Sequence, residues 1–290
     1  MAIKGKIQQA LQNAKLRRSG DLTSNSGVTP PSNVSDAKST TNSLPIAQRR
    51  SAIEKTLAAP EVAFDRQKCL DNRILVDGGE NPLNHPAMAA YRMLRTRLGH
   101  RARANNWRII GITSSGAGDG KTVTALNLAL AVAREKNNNV FLIDLDMRNP
   151  KVCEYLGVVP PAEVNDFFTG AASVNDILFS IGIENLTLAG TRTSSEHSSE
   201  LLATGRIEEL FDHIRQVFAE PIILVDLPPI LTTDDALVMA PKLDAWVLVL
   251  AEGRSRRDST AKSLEILEDF NIAGIVLNRS KAVVTDPYNT

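Results

Sequence analysis

The chain has 290 residues and a mass of 31.5 kDa, with 43% hydrophobic residues, enough for a sizeable buried core. Lys+Arg and Asp+Glu balance at 33 each and the pI is near 6.9, which excludes a bulk electrostatic case for nucleic acid. Two distant cysteines, Cys69 and Cys153, make neither a disulfide framework nor a metal-binding spacing. No apolar run approaches the roughly 18 residues of a membrane span, and the N-terminus lacks the apolar stretch of a signal peptide. The expectation is a soluble protein of the cytoplasm.

Charge is uneven along the chain. Residues 1–60 carry nine Lys/Arg against three Asp/Glu. Ile3, Ile7, Leu11 and Ala14 recur at helical spacing among Lys and Gln, predicting a short basic amphipathic helix over residues 1–20. Such a helix would dock on a partner or lie peripherally at the inner face of the plasma membrane. From Leu22 to Leu44 the composition is mostly Ser, Thr, Asn and Pro, which buries too little apolar surface to offset chain entropy. A flexible linker is expected over residues 21–80.

Beyond Trp107 short aliphatic runs alternate with helical patterns. Strands are expected at Arg108–Thr113, Val140–Asp144, Leu186–Ala189, Ile222–Asp226, Ala245–Leu250 and Ile272–Leu277. Helices are expected at Val123–Lys136, Ser199–Phe218 and Ser259–Phe270. Runs that are continuously apolar suit strands buried on both faces. The expected fold is α/β, a doubly wound and mostly parallel sheet of the P-loop NTPase type, spanning residues 81–283 and ending in a tail, 284–290. Chemistry in such folds gathers beyond the carboxyl ends of the strands.

The first strand end carries the strongest motif. Trp107-Arg-Ile-Ile-Gly-Ile-Thr113 runs into Ser114-Ser-Gly-Ala-Gly-Asp-Gly-Lys-Thr122, and the helical run beginning at Val123 follows. Strand, glycine-rich turn and helix form a phosphate-binding loop over Gly116, Ala117, Gly118, Asp119, Gly120, Lys121, Thr122 and Val123. Its amides and the helix N-terminus favour phosphate oxygens. Lys121 is placed for the β- and γ-phosphates and the Thr122 hydroxyl for Mg²⁺. Ser115 stands where the strict pattern has glycine. Lys121 occupies the place of the third glycine of a dinucleotide fingerprint, which excludes that alternative.

Two further strand ends carry acids. Val140-Phe-Leu-Ile-Asp-Leu-Asp146 presents Asp144 and Asp146 two residues apart, so an extended strand would turn both to one side. Ile222-Ile-Leu-Val-Asp226, followed by Leu227-Pro-Pro229, has the form of a Walker B strand. Alone, either aspartate is also compatible with a helix cap. With the loop they point to nucleoside triphosphate chemistry.

Taken together, residues 86–280 resemble the cytoplasmic catalytic domain of bacterial tyrosine kinases (BY-kinases), which govern capsular and exopolysaccharide synthesis. Ala117-Gly-Asp-Gly-Lys-Thr122 is similar to that family's Pro-Gly-Glu-Gly-Lys-Ser loop, and Leu142-Ile-Asp-Leu-Asp-Met-Arg-Asn-Pro150 to its Walker A′ motif. Val225-Asp-Leu-Pro-Pro229 resembles its Walker B and Thr233-Asp-Asp-Ala236 its Ser-Asp-Ala. Glu200-Leu-Leu202, Val276-Leu-Asn-Arg279 and Ala90-Tyr-Arg-Met-Leu-Arg-Thr96 also have counterparts.

The resemblance implies ATP and Mg²⁺ as cofactors, with Lys121 on phosphate and Thr122, Asp146 and Asp226 on the metal. It implies Asp144 as the base for a tyrosine hydroxyl, Arg148 on the transferred phosphoryl group and Asn278 at adenine. Arg92 and Arg95 would serve self-association, and Tyr288 is the phosphoacceptor candidate. A membrane chain-length regulator or polysaccharide exporter is the implied partner. Two alternatives stand beside an autokinase: an ATP-binding assembly protein that phosphorylates nothing, and a ParA/MinD-type positioning ATPase. Gly116 replaces the first lysine of the latter's loop. The tail carries a single tyrosine, where the family has a cluster.

Overall fold

The computed structural model describes residues 59–76, 86–135 and 138–280. The helix expected over residues 1–20, the Ser/Thr-rich run and Tyr288 lie outside them. Six strands form one sheet: β1 (Ile109–Ser114), β2 (Val140–Asp144), β3 (Leu186–Ala189), β4 (Ile222–Asp226), β5 (Ala245–Ala251) and β6 (Ile272–Asn278). They lie in the order β3-β2-β4-β1-β5-β6, and every pairing is parallel. Each expected strand appears within a residue of its expected bounds, because unbroken aliphatic runs have only a doubly covered sheet in which to hide.

Alternation along each strand sends side chains to two cores. Ile110, Ile112, Leu142, Leu224, Val247 and Val249 face one layer. Ile109, Phe141, Ile143, Ile223, Val225, Trp246 and Leu248 face the other.

On the first face α1 (Arg66–Asp71), α2 (Pro86–Asn105) and α3 (Lys121–Ala133) supply the cover. Twelve of the 13 residues of α3 are buried, so its sequence lacks a polar stripe. The short α4 (Val152–Leu156) joins that first core, and around the rest of the sheet lie α5 (Val164–Thr169), α6 (Val174–Ile177), α7 (Ser198–Leu202), α8 (Arg206–Val217), α9 (Asp235–Met239) and α10 (Arg257–Leu267). The single helix expected over Ser199–Phe218 is two, α7 and α8. Residues 203–205 separate them, and Gly205, at φ 83, is the left-handed N-cap that starts α8. No helix among the described residues is long and apolar enough to cross a membrane.

The flexible linker expected over 21–80 does not hold for residues 59–76. They form a strap with Cys69, Ile74 and Val76 buried in the first core. Val62 N donates to Ser180 O at 2.8 Å and Asp65 N to Leu156 O at 2.8 Å. The Asn127 carboxamide on α3 completes the attachment, accepting from Leu75 N at 2.7 Å and donating to Arg73 O at 2.9 Å. These few apolar residues are too sparse to show a period, which is why composition alone reads the span as linker.

Candidate functional site

The strand order places β1, β4 and β2 side by side, so the three motif-bearing carboxyl ends meet. Asp144 and Asp226 are register partners across β2 and β4, and Ile112 pairs with Asp226 across β1 and β4. The loop after β1 then curls over them. Gly118 and Gly120 have φ of 80 and 93, a region side chains rarely enter. A Cβ on Gly118 would come within 2.8 Å of Arg254 Nη2, and one on Gly120 would collide with Asn278 Nδ2. Both positions therefore require glycine.

Asp119, nearly fully buried, closes the loop by accepting from Gly116 N at 3.0 Å. Ser115, the departure from the strict motif, is hydrogen-bonded to Ser263 Oγ of α10 at 2.9 Å. A hydroxyl replaces glycine here because it ties the loop to a helix.

Lys121 Nζ lies 2.7 Å from Asp146 Oδ2 and 3.3 Å from Asp226 Oδ1. Thr122 Oγ1 donates to Asp226 Oδ2 at 2.6 Å. Burial works against the Lys121 charge, yet Asp226, Asp146 and Asp144 outweigh it and raise its pKa. Asp226 is fully buried; that burial raises its pKa, while Lys121 and Thr122 oppose the rise. Thus Lys121, Thr122, Asp146 and Asp226 converge.

Asp144 and Asp146 take different partners, Asp146 meeting Lys121 and Asp144 the backbone that follows it. The strand stops at Asp144 and the chain turns, so that Asp144 Oδ1 accepts Asp146 N at 3.1 Å. Its Oδ2 accepts Lys151 N at 3.1 Å and Val152 N at 3.0 Å, the start of α4. Burial, then the Asp226 charge, pushes its carboxyl up to about 8.

Arg148 reaches across to Asp235 at the start of α9, Nε to Oδ2 at 3.3 Å, and Ser198 Oγ donates to the same oxygen at 2.7 Å. Asp235 is fully buried. No local signal in Thr233-Asp-Asp-Ala236 connects Asp235 to Arg148. Two other residues were missed. Arg254 Nη2 donates to Ala117 O at 3.4 Å and Arg279 Nη2 to Gly118 O at 3.0 Å, both over the loop.

Asn278 sits beside the loop, donating to Asp119 O at 2.9 Å. Arg95 is far from it and engaged within the chain, 3.0 Å from Glu135 and 3.1 Å from Ala131 O at the end of α3. Arg92 is half-buried on the same helix.

The donors are hard oxygens from one hydroxyl and two carboxylates, next to a glycine cradle that a Cβ would fill. That set suits Mg²⁺, which takes one or two carboxylates and completes its shell with phosphate and water oxygens. No cluster of three or more His, Cys, Asp or Glu with metal-holding geometry exists among the described residues.

Residues 110–286 match the family model of the CobQ/CobB/MinD/ParA nucleotide binding domain. Tyrosine-protein kinase CpsD of Streptococcus pneumoniae is 31% identical over 178 residues, covering 59% of this chain and 76% of the relative. The VpsO kinase domain superposes with a TM-score of 0.59 at 25% identity, covering 67% of this chain and 96% of that one. MinD of Pyrococcus horikoshii, solved with Mg-ADP, superposes at 0.51 with 25% identity, covering 60% and 72%.

Proposed function

Since the chain belongs to the CobQ/CobB/MinD/ParA nucleotide-binding family, and within it to the bacterial tyrosine-protein kinases, we propose that it is an ATP-dependent protein-tyrosine autokinase acting in polysaccharide synthesis or export. One observation carries this reading: Lys121, Thr122, Asp146 and Asp226 converge at three adjacent strand ends beneath a glycine loop, in a domain whose relatives are named tyrosine kinases.

In this reading residues 116–123 cradle the phosphates of ATP, and Lys121 exchanges its carboxylate partners for phosphate oxygens. Thr122, Asp146 and Asp226 hold Mg²⁺, which when bound neutralises charge on the phosphates. Asn278 lies at the base. Asp144 accepts the tyrosine hydroxyl proton. Its raised proton affinity suits that task, and Oδ1 accepts a single N–H and so retains a lone pair. Arg148, held by Asp235, faces the transferred phosphoryl group. The acceptor is Tyr288. Arg92 contributes to self-association, whereas Arg95 is held within the chain by Glu135 and the Ala131 carbonyl, and a membrane chain-length regulator or exporter is the partner that brings the chain to the membrane's inner face.

Incubating the purified protein with labelled ATP and Mg²⁺, then mapping phosphate by mass spectrometry, tests the reading. Phosphotyrosine at Tyr288, lost in Asp144→Asn with ATP still bound, is the expected result. ATP binding with no phosphotyrosine anywhere overturns the kinase in favour of a nucleotide-gated assembly protein, which the solitary tail tyrosine favours.

A further inference from the structure

Five large hydrophobic side chains are exposed among the described residues, and four of them, Leu70, Met93, Ile275 and Leu277, line one groove. The groove measures about 1640 Å³ and lies between the strap, α2 and β6. A contiguous apolar patch of this kind marks a binding surface, whereas single exposed apolar residues do not.

Its charge is one-sided. Arg73, Arg97, His100, Arg101 and Arg279 line it, all exposed, and no Asp or Glu does so among the described residues. In a chain of zero formal charge such a strip is a local arrangement. One wall is a sheet edge that is open among the described residues, because β6 ends their strand order. Glu252 N donates to Asn278 O on the paired side, so alternation turns the backbone groups of Leu277 and Ile275 outward. Arg101 already caps the Ala273 carbonyl at 2.6 Å.

We propose that this groove binds an extended peptide of a partner protein, with alternating acidic and apolar residues, as a seventh strand along β6. Its main chain would pair with Ile275 and Leu277, its apolar side chains would cover the exposed hydrophobics, and its carboxylates would meet the cations. A two-fold pairing of β6 with the same edge of a second copy fits poorly, since it sets cation against cation. A flat membrane surface does not reach into a concavity. The site borders the phosphate loop, since Asn278 and Arg279 at the end of β6 bond to Asp119 O and Gly118 O. The proposal does not depend on kinase activity, and its test needs no nucleotide.

The test uses fluorescein-labelled Glu-Val-Glu-Leu-Glu-Val-Glu-Leu and its Lys-for-Glu counterpart, titrated by anisotropy against the full chain. The acidic peptide should bind saturably, weaken with added salt, and lose at least about tenfold in affinity, roughly 1.4 kcal/mol, in Arg97→Glu and in Ile275→Asp. Both side chains are exposed, and an unchanged denaturant melt serves as the folding control. Hydrogen exchange should slow at residues 274–278 when the peptide is bound. Equal binding of the Lys peptide overturns the proposal, as does no binding. Binding unchanged by both substitutions overturns it too. Arg97-dependent binding to phosphatidylglycerol vesicles without peptide binding replaces it with a membrane site. An Ile275-dependent dimer without peptide binding replaces it with self-association.

Discussion

Lys121 Nζ sits 2.7 Å from Asp146 Oδ2, a lysine of the loop after β1 paired with a carboxylate from the end of β2. The residues that would hold phosphate and metal thus neutralise one another within the fold. Replacing Lys121 leaves Asp146 and Asp226 as buried acids without their cation, so Lys121→Met should lose nucleotide binding by at least about 100-fold, read by calorimetry with ATP and Mg²⁺. Wild-type affinity in that variant removes the site.

The glycines of the loop offer a graded test. Gly120→Ala would drive a Cβ into Asn278 Nδ2 at φ 93 and should abolish nucleotide binding. Gly205 also has positive φ but no atom within 4 Å, so Gly205→Ala should cost only about 1 kcal/mol of backbone strain, with ATP affinity intact. Denaturant melts and ATP titrations on both variants separate the effects.

Arg148 is held by Asp235, which makes Asp235 a positioning residue. Asp235→Ala should lower the phosphotransfer kcat about tenfold or more while the KM for ATP stays within about twofold. Asp235→Asn, which can still accept from Ser198 and Arg148, should restore part of kcat. A change in KM alone sinks this assignment.

The strap depends on Asn127. Asn127→Ala leaves Leu75 N and Arg73 O without their partner, at an expected cost of about 2 kcal/mol. Amide exchange near residues 73–76 should accelerate before the sheet itself opens. Exchange there at wild-type rates would show that the strap is held without Asn127.

His213 supplies a pH test. Burial lowers its pKa from 6.5, and Nε2 has no hydrogen-bond partner among the described residues. The unfolded chain therefore binds more protons than the fold just below pH 6.5, and stability rises with pH there. Melting temperature should fall as pH drops from 7 to 5, and His213→Gln should fall less. An identical slope in both proteins removes His213 as the cause.

The amino-acid sequence alone determined what depends on neighbours in the chain: six strands from unbroken aliphatic runs, the glycine loop from spacing, and Asp226 from its place after four aliphatics. Only the tertiary structure decided what depends on residues far apart. It brought Asp226 to Lys121 and Thr122, turned Asp144 onto the start of α4, joined Arg148 to Asp235, and spent Arg95 on Glu135. It also folded residues 59–76 down as a strap and put β6 at the cation-lined edge of the described sheet. The division is physical. Periodicity and turn chemistry act over a few residues and are written in composition, whereas strand order and side-chain pairing are chosen by which distant surfaces can be buried together.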